Sequence, residues 1–234
     1  MAQVSWRPSL LAEVPRPTTM SRSPTTVVGW TAPRPFSSSS RTFGKSGKPP
    51  SVRPDLVGDH PPLDVNRIVE ILDRHRVRYL LVGGVAARLH GATRLTEDVD
   101  VLPADDDENL RRLGAALTEL GAFLRVGGLS DDEARALPVQ LDGATLRGME
   151  VSTWRTTAGD LDVLRSLRDL DGGRRSYVEL EQRSIAISTN DVEIRLAGLG
   201  DIIDSKRFAD REKDHDALPE LEALRAASTE GDEP

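Results

Sequence analysis

The chain of 234 residues contains no cysteine. That excludes disulfides, thiol catalysis and cysteine-ligated zinc, and it fits a reducing cytoplasm. No apolar run approaches the roughly 18 residues needed to cross a bilayer. The start of the chain lacks a basic segment followed by an apolar stretch, so neither a secretory signal nor a membrane partner is expected. The four histidines show no metal-ligand spacing. HExxH is missing, as is the GxSxG nucleophile motif, and there is no internal repeat. What remains is a composition of 38% hydrophobic and 29% charged residues, suited to a soluble globular protein.

The net charge of −7 conceals two unlike regions. Residues 1–60 carry eight Lys or Arg and three Asp or Glu, a balance of +5, while the remainder carries 23 basic and 35 acidic residues, a balance of −12. So acidic a body has no broad electrostatic footprint for nucleic acid. The first 60 residues are rich in Arg, Ser, Thr and Pro and supply no periodic apolar face, so they read as a disordered tail. A flexible extension, leader sequence from a start codon placed too far upstream, and an organelle transit peptide all fit. The first two are favoured because no amphipathic helix is visible.

Order is expected from Pro62 to about residue 226, with a disordered end over 227–234. Asp64 can cap a helix bearing Val65, Ile68, Val69 and Leu72 at i, i+3, i+4, i+7 spacing. Val77 to Val82 reads as a buried strand ended by Gly83-Gly84, and Val85 to His90 as a short helix stopped by Gly91. Asp98 to Leu102 is a second strand, closed by Pro103. Residues 105–120 form a helix with Leu110, Leu113, Leu117 and Leu120 on one face. The stretch 121–148 is ambiguous, with a helical turn at Asp131 to Ala136. Met149 to Thr153 and Leu161 to Leu164 read as strands, with Asp160 in the turn before the second. Tyr177 to Gln182 reads as helical. Ile185 to Ile187 and Val192 to Leu196 form a hairpin around Thr189-Asn190-Asp191. Two helices close the chain, at Leu199 to Ala209 and Lys213 to Ala226.

Three short features carry chemical meaning. Side chains alternate along a strand, so Asp98 and Asp100 point the same way, about 7 Å apart, while Val99 and Val101 face a core. Paired carboxylates repel unless a cation lies between them, and Mg²⁺ with phosphate oxygens suits such a site. A solvated acidic edge strand explains the pair equally well. Gly83-Gly84 allows a close backbone approach to phosphate at a helix start, although it matches neither a P-loop nor a dinucleotide fingerprint. In Gly159 to Leu164, Leu161 and Val163 alternate with Asp162, which joins the acidic face of the sheet.

In this order the features resemble the nucleotidyltransferase superfamily of the DNA polymerase β type. Leu81 to Leu102 (LVGGVAARLHGATRLTEDVDVL) is similar to its glycine pair and paired-carboxylate motif, and Gly159 to Leu164 to its third-carboxylate strand. Leu196 to Leu221 resembles the closing helices of minimal bacterial members, including AbiEii-type toxin nucleotidyltransferases. The resemblance implies an α/β (α+β) nucleotidyltransferase fold: a mixed β-sheet flanked by helices, followed by C-terminal helices. It implies two Mg²⁺ ions on Asp98, Asp100 and Asp162, with Asp162 placed to take the acceptor's proton. NTP would lie against Gly83 and Gly84, with Arg94, Thr96 and Lys206 as further nucleotide-binding residues and Arg211, Lys213 and Asp214 as additional candidates. Lys206 reads equally well as part of a solvated face. His90 is expected to cap or pack a helix end. Asp105 to Glu108 are explained by the preference for acid at a helix start.

The resemblance implies NMP transfer from NTP to an acceptor hydroxyl, on a tRNA 3′ end or a protein, as in the toxin component of a toxin–antitoxin system with a cognate antitoxin partner. An aminoglycoside-type small acceptor, a non-catalytic nucleotide-binding partner of the same fold, and a nucleic-acid binder working through the basic tail are the alternatives.

Overall fold

The structure, a computed structural model, describes residues 61–189 and 192–230. The expected N-terminal tail, Asn190-Asp191 of the expected hairpin turn and the last four residues lie outside the described residues.

Helix α1 (Val65–Arg74) begins where Asp64 accepts a hydrogen bond from the Arg67 backbone, and it buries Ile68, Val69, Ile71 and Leu72. Strand β1 (Tyr79–Val82) is buried on both faces. It runs directly into helix α2 (Gly83–Leu89). The glycine pair therefore forms the first turn of the helix, not a turn ahead of it. His90 is the C-cap of α2, and its Nε2 lies 2.8 Å from the Ala197 carbonyl oxygen, which fits the packing role expected of it. Strand β2 (Asp98–Pro103) includes the proline expected just outside it. Helix α3 (Asp107–Glu119) is capped by Asp106 and carries Asp107 and Glu108 in its first turn, where the acidic run complements the helix dipole.

The ambiguous middle resolves into three short elements: strand β3 (Phe123–Leu124), helix α4 (Asp131–Arg135) and helix α5 (Gly143–Gly148). Strand β4 (Val151–Thr156) starts two residues later than expected and ends three later. Strand β5 (Gly159–Leu164) includes Asp160, which sits in the ladder and not in a turn. A small hairpin, β6 (Leu167–Arg168) with β7 (Arg174–Arg175), was not foreseen. Helix α6 (Tyr177–Glu181) precedes β8 (Ile185–Thr189) and β9 (Val192–Leu196), which pair antiparallel. Helix α7 (Leu199–Ala209) falls where the sequence placed it. Helix α8 (Glu212–Glu230) stays helical past residue 226, where disorder was expected.

The main sheet has seven strands in the order β3-β4-β5-β2-β1-β9-β8, mixed in direction. Strand β2 pairs antiparallel with β1 and parallel with β5, and so lies near the middle of the sheet. This excludes the edge-strand reading of its two aspartates. Val99, Val101, Leu161 and Val163 on one face of β2 and β5 are buried. Burying such side chains contributes roughly 1.5–3 kcal/mol each. That packing holds the opposite, acidic face in register.

Candidate active site

Strand pairing lines up two rows of side chains on one face of the sheet. In the first, Val82 pairs with Asp100, Asp100 with Asp162, and Asp162 with Thr153. The row continues to Arg125, whose backbone N–H donates to the Thr153 carbonyl at 2.8 Å. In the second, Asp98 pairs with Asp160, Asp160 with Arg155, and Arg155 with Phe123. The three aspartates singled out in the sequence thus share one face of two neighbouring strands.

Each carboxylate has its own support. Thr96 donates its hydroxyl to Asp98 Oδ1 at 2.8 Å. Asp100 accepts from the Gly84 backbone, and its side chain fills the space in front of Gly83. Gly83 has φ +59°, and a Cβ there would lie 1.9 Å from Asp100 Oδ2. The glycine pair is required by the carboxylate it shelters. Thr153 donates its hydroxyl to Asp162, whose Oδ1 is buried with no hydrogen-bond partner among the described residues.

Like charges on facing residues about 5 Å apart repel by about 3 kcal/mol per pair at an effective dielectric near 20. Burial, then Asp98 and Asp162, push Asp100 up to about 6, against the Gly84 N–H and Lys206, which act the other way. Burial also raises Asp162, opposed by the Thr153 hydroxyl and reinforced by Asp98 and Asp160. Asp160 itself is neutralised, with Arg155 Nε at 3.0 Å and Arg125 Nη1 at 2.8 Å. That screening was not legible in the sequence, because Arg155 reaches Asp160 through the register of β4 and Arg125 from just past the end of β3.

Beside the carboxylates lies a cleft of about 470 Å³ whose lining includes Gly83, Gly84, Arg94, Thr96 and the three aspartates, together with Lys206, Arg211 and Lys213. All the nucleotide-binding candidates therefore border one space. Lys206 extends from α7, and its Nζ lies 3.0 Å from Oδ1 of the buried Asp214 on α8. Arg211 reaches the other oxygen of Asp214 at 2.6 Å. Asp214 does not line the cleft; it holds two cations that do. Arg94 is half-exposed and pairs with Asp216 on α8 at 3.4 Å. The segment before β2 is tied to the same helix through Thr93, whose backbone and hydroxyl both donate to Glu220. Its neighbour Leu95 is almost fully exposed on the cleft rim, a position the sequence reading passed over.

Among the described residues no three His, Cys, Asp or Glu side chains enclose a ready metal cage. The donor set still fits Mg²⁺: three hard oxygen ligands on an open cleft, with an orphaned buried oxygen on Asp162. Mg²⁺ commonly binds one or two carboxylates and completes its shell with substrate phosphates and water, so an open carboxylate ledge suits it better than an all-protein cage would.

No protein-family model matches the chain, and no curated protein does. Among solved structures the chain is similar to the lincosamide antibiotic adenylyltransferase LnuA with lincomycin bound, at 16% identity over 70% of this chain and 99% of that one, TM-score 0.47. It is similar to ANT(2″)-Ia in complex with adenylyl-2″-tobramycin, at 19% identity over 70% and 93%, TM-score 0.41. A third is an antigenic nucleotidyltransferase-like protein from Paracoccidioides brasiliensis, at 15% identity over 70% and 77%, TM-score 0.36. By name, the first is an adenylyltransferase and the third is nucleotidyltransferase-like. At these scores the likeness carries no chemistry, which rests on the geometry of the cleft.

Proposed function

We propose that the chain is a Mg²⁺-dependent nucleotidyltransferase that moves a nucleoside monophosphate from NTP to an acceptor hydroxyl. The observation that carries this reading is the register of β2 and β5, which sets Asp100 beside Asp162, a carboxylate with an unpartnered buried oxygen at the edge of a cleft lined by cations. Bound Mg²⁺ would offset the repulsion among Asp98, Asp100 and Asp162 and withdraw charge from the reacting phosphate.

The chain's own groups supply the rest. Lys206, Arg211 and Arg94 offer positive charge to the triphosphate, at the side of the cleft formed by α7, α8 and the segment before β2. Thr96 keeps Asp98 turned into the cleft, and Gly83 leaves room for Asp100. Asp162 is placed to take the proton of the acceptor hydroxyl. The acceptor oxygen then forms a bond to the α-phosphorus, the bond from that phosphorus to the bridging oxygen breaks, and pyrophosphate leaves with the electron pair.

The reading is tested with NTP labelled at the α-phosphate, Mg²⁺ and a panel of acceptors, following label transfer and pyrophosphate release. Asp98→Ala and Asp162→Asn should each lower the rate about a hundredfold or more. Transfer by Asp98→Ala at the parent rate would refute the mechanism.

A further inference from the structure

Resting on that reading, we infer that the acceptor is a phosphate-bearing alcohol, held by Arg125 in a second cavity walled by Thr153, the strand neighbour of Asp162. This cavity measures about 420 Å³, and its lining includes Arg125, Gly127, Gly128, Asp131, Thr153 and Arg155. It reaches the carboxylates through Thr153. Thr153 contributes to its wall while donating to Asp162, and Arg125 acts electrostatically on the same aspartate. Asp162 borders the cleft beside Lys206, and Thr153 and Arg125 lead from it into this cavity. An acceptor anchored on Arg125 would extend its hydroxyl past Thr153 toward Asp162 at the triphosphate cleft.

The charges of the cavity define what it accepts. Arg155 is buried and spent: Nε and Nη2 donate to Asp160, and Nη1 donates to Asp131. Both Asp160 and Asp131 are thereby ion-paired to a buried arginine, which leaves a polyamine little net negative charge to bind there. Arg125 differs. It is half-exposed and uses only Nη1, on Asp160, leaving Nε and Nη2 without a hydrogen bond among the described residues. A guanidinium edge with two free donors matches two oxygens of a phosphate. The Gly127-Gly128 part of the lining is open, since a Cβ at either glycine would meet nothing within 4 Å. Space is thus available for a group larger than a hydroxymethyl.

The test offers four acceptors that present hydroxyls and differ in charge: an oligoribonucleotide with a free 3′-hydroxyl, a small sugar phosphate, a neutral sugar and an aminoglycoside polycation. Label transfer from NTP is measured with the full chain and with Arg125→Gln and Arg125→Lys, and binding is followed by anisotropy of the labelled oligoribonucleotide with the sugar phosphate as competitor. Arg155 still holds Asp160 in both variants, and circular dichroism checks their fold. At least one phosphate-bearing acceptor should exceed the neutral and cationic ones tenfold or more in kcat/KM. Arg125→Gln should raise its KM, or its Kd where no turnover occurs, about tenfold while kcat changes little, and Arg125→Lys should recover part of the loss. The two phosphate arms separate a strand end from a small metabolite. Preference for the neutral or cationic acceptor, or binding and KM indifferent to Arg125, overturns the inference. Pyrophosphate release by the parent chain reports on the nucleotidyltransferase reading separately: its absence alongside Arg125-dependent binding would sink that reading and leave the anion site standing.

Discussion

Lys206 Nζ lies 3.0 Å from Oδ1 of Asp214, a carboxylate with no exposed side-chain surface. Arg211 holds the other oxygen at 2.6 Å. Two cations, one on α7 and one in the link between α7 and α8, are thereby fixed by one buried anion, at the wall of the cleft that would receive the triphosphate. Replacing Asp214 by Asn keeps the shape and removes the charge. Arg211 is largely exposed and can turn to water, so the loss should be about 1–3 kcal/mol, short of the 3–5 kcal/mol seen when a fully buried pair is broken. Urea denaturation of Asp214→Asn would measure it. The same variant should raise KM for NTP several-fold, because Lys206 is no longer anchored.

The pH dependence of that lock has a defined sign. Burial pushes the Asp214 carboxyl up, but its bonds to Arg211 and Lys206 outweigh this and hold it below the usual carboxylate range. A folded-state value below the unfolded one contributes stability that is complete above about pH 4 and is lost as pH falls through the folded value. The parent should therefore lose stability more steeply than Asp214→Asn below about pH 4, as thermal melts across that range would register.

Asp100 carries the opposite sign. Burial first, then Asp98 and Asp162, push it up to about 6. The ionised carboxyl thus destabilises the metal-free fold above about pH 6, and the penalty is relieved as pH falls from about 6 toward 4. Asp100→Asn should stabilise the metal-free protein by about 1–3 kcal/mol at pH 7 and flatten its pH dependence. Transfer should be lost in the same variant. A melting temperature equal to or below the parent's in the presence of a chelator would count against a repulsive carboxylate cluster.

Much of this site was legible in the sequence because strand alternation is strict. Asp98 and Asp100 had to share a face, and Leu161 and Val163 fixed the side on which Asp162 lies. Register was not legible. Nothing in the chain's order says that Asp160 meets Arg155 or that Asp162 meets Thr153, since both pairings depend on where β4 starts. The start was misjudged because Met149 and Glu150 extend the apolar-polar alternation of the strand without joining the ladder. Helix α4 had a readable mark: Ser130 and Glu133 form a reciprocal cap, the S-x-x-E pattern of a helix start. Asp160 reads as part of a turn in the sequence, yet β5 already begins at Gly159.

Gly83 offers a sharper test than either glycine of the open loop. Alanine at Gly83 would meet φ +59° and place its Cβ 1.9 Å from Asp100 Oδ2. The backbone strain alone costs about 1 kcal/mol or more, and Asp100 must leave its position as well. Gly83→Ala should lower stability and reduce kcat at least a hundredfold. Gly127→Ala meets nothing within 4 Å and should stay within about 0.5 kcal/mol of the parent in urea denaturation. Equal effects of the two substitutions would mean that Asp100 does not occupy the space in front of Gly83.

The segment between α2 and β2 gives the last prediction. It is held to α8 by contacts at two positions: Thr93 donates twice to Glu220, and Arg94 pairs with Asp216. Both carboxylates are near the surface, so losing them costs little stability. Yet this segment carries Arg94, Leu95 and Thr96 into the cleft wall, and Thr96 orients Asp98. Glu220→Ala should therefore leave the melting temperature nearly unchanged and raise KM for NTP several-fold. Thr96→Val should instead lower kcat about tenfold with KM little altered, because the nucleotide still binds while Asp98 loses its hydroxyl partner. Steady-state kinetics on the two variants separate the roles: a KM effect from the anchor, and a kcat effect from the residue it positions. A kcat loss in Glu220→Ala as large as that in Thr96→Val would mean that the tether to α8 holds Asp98 itself, and not only the wall around it.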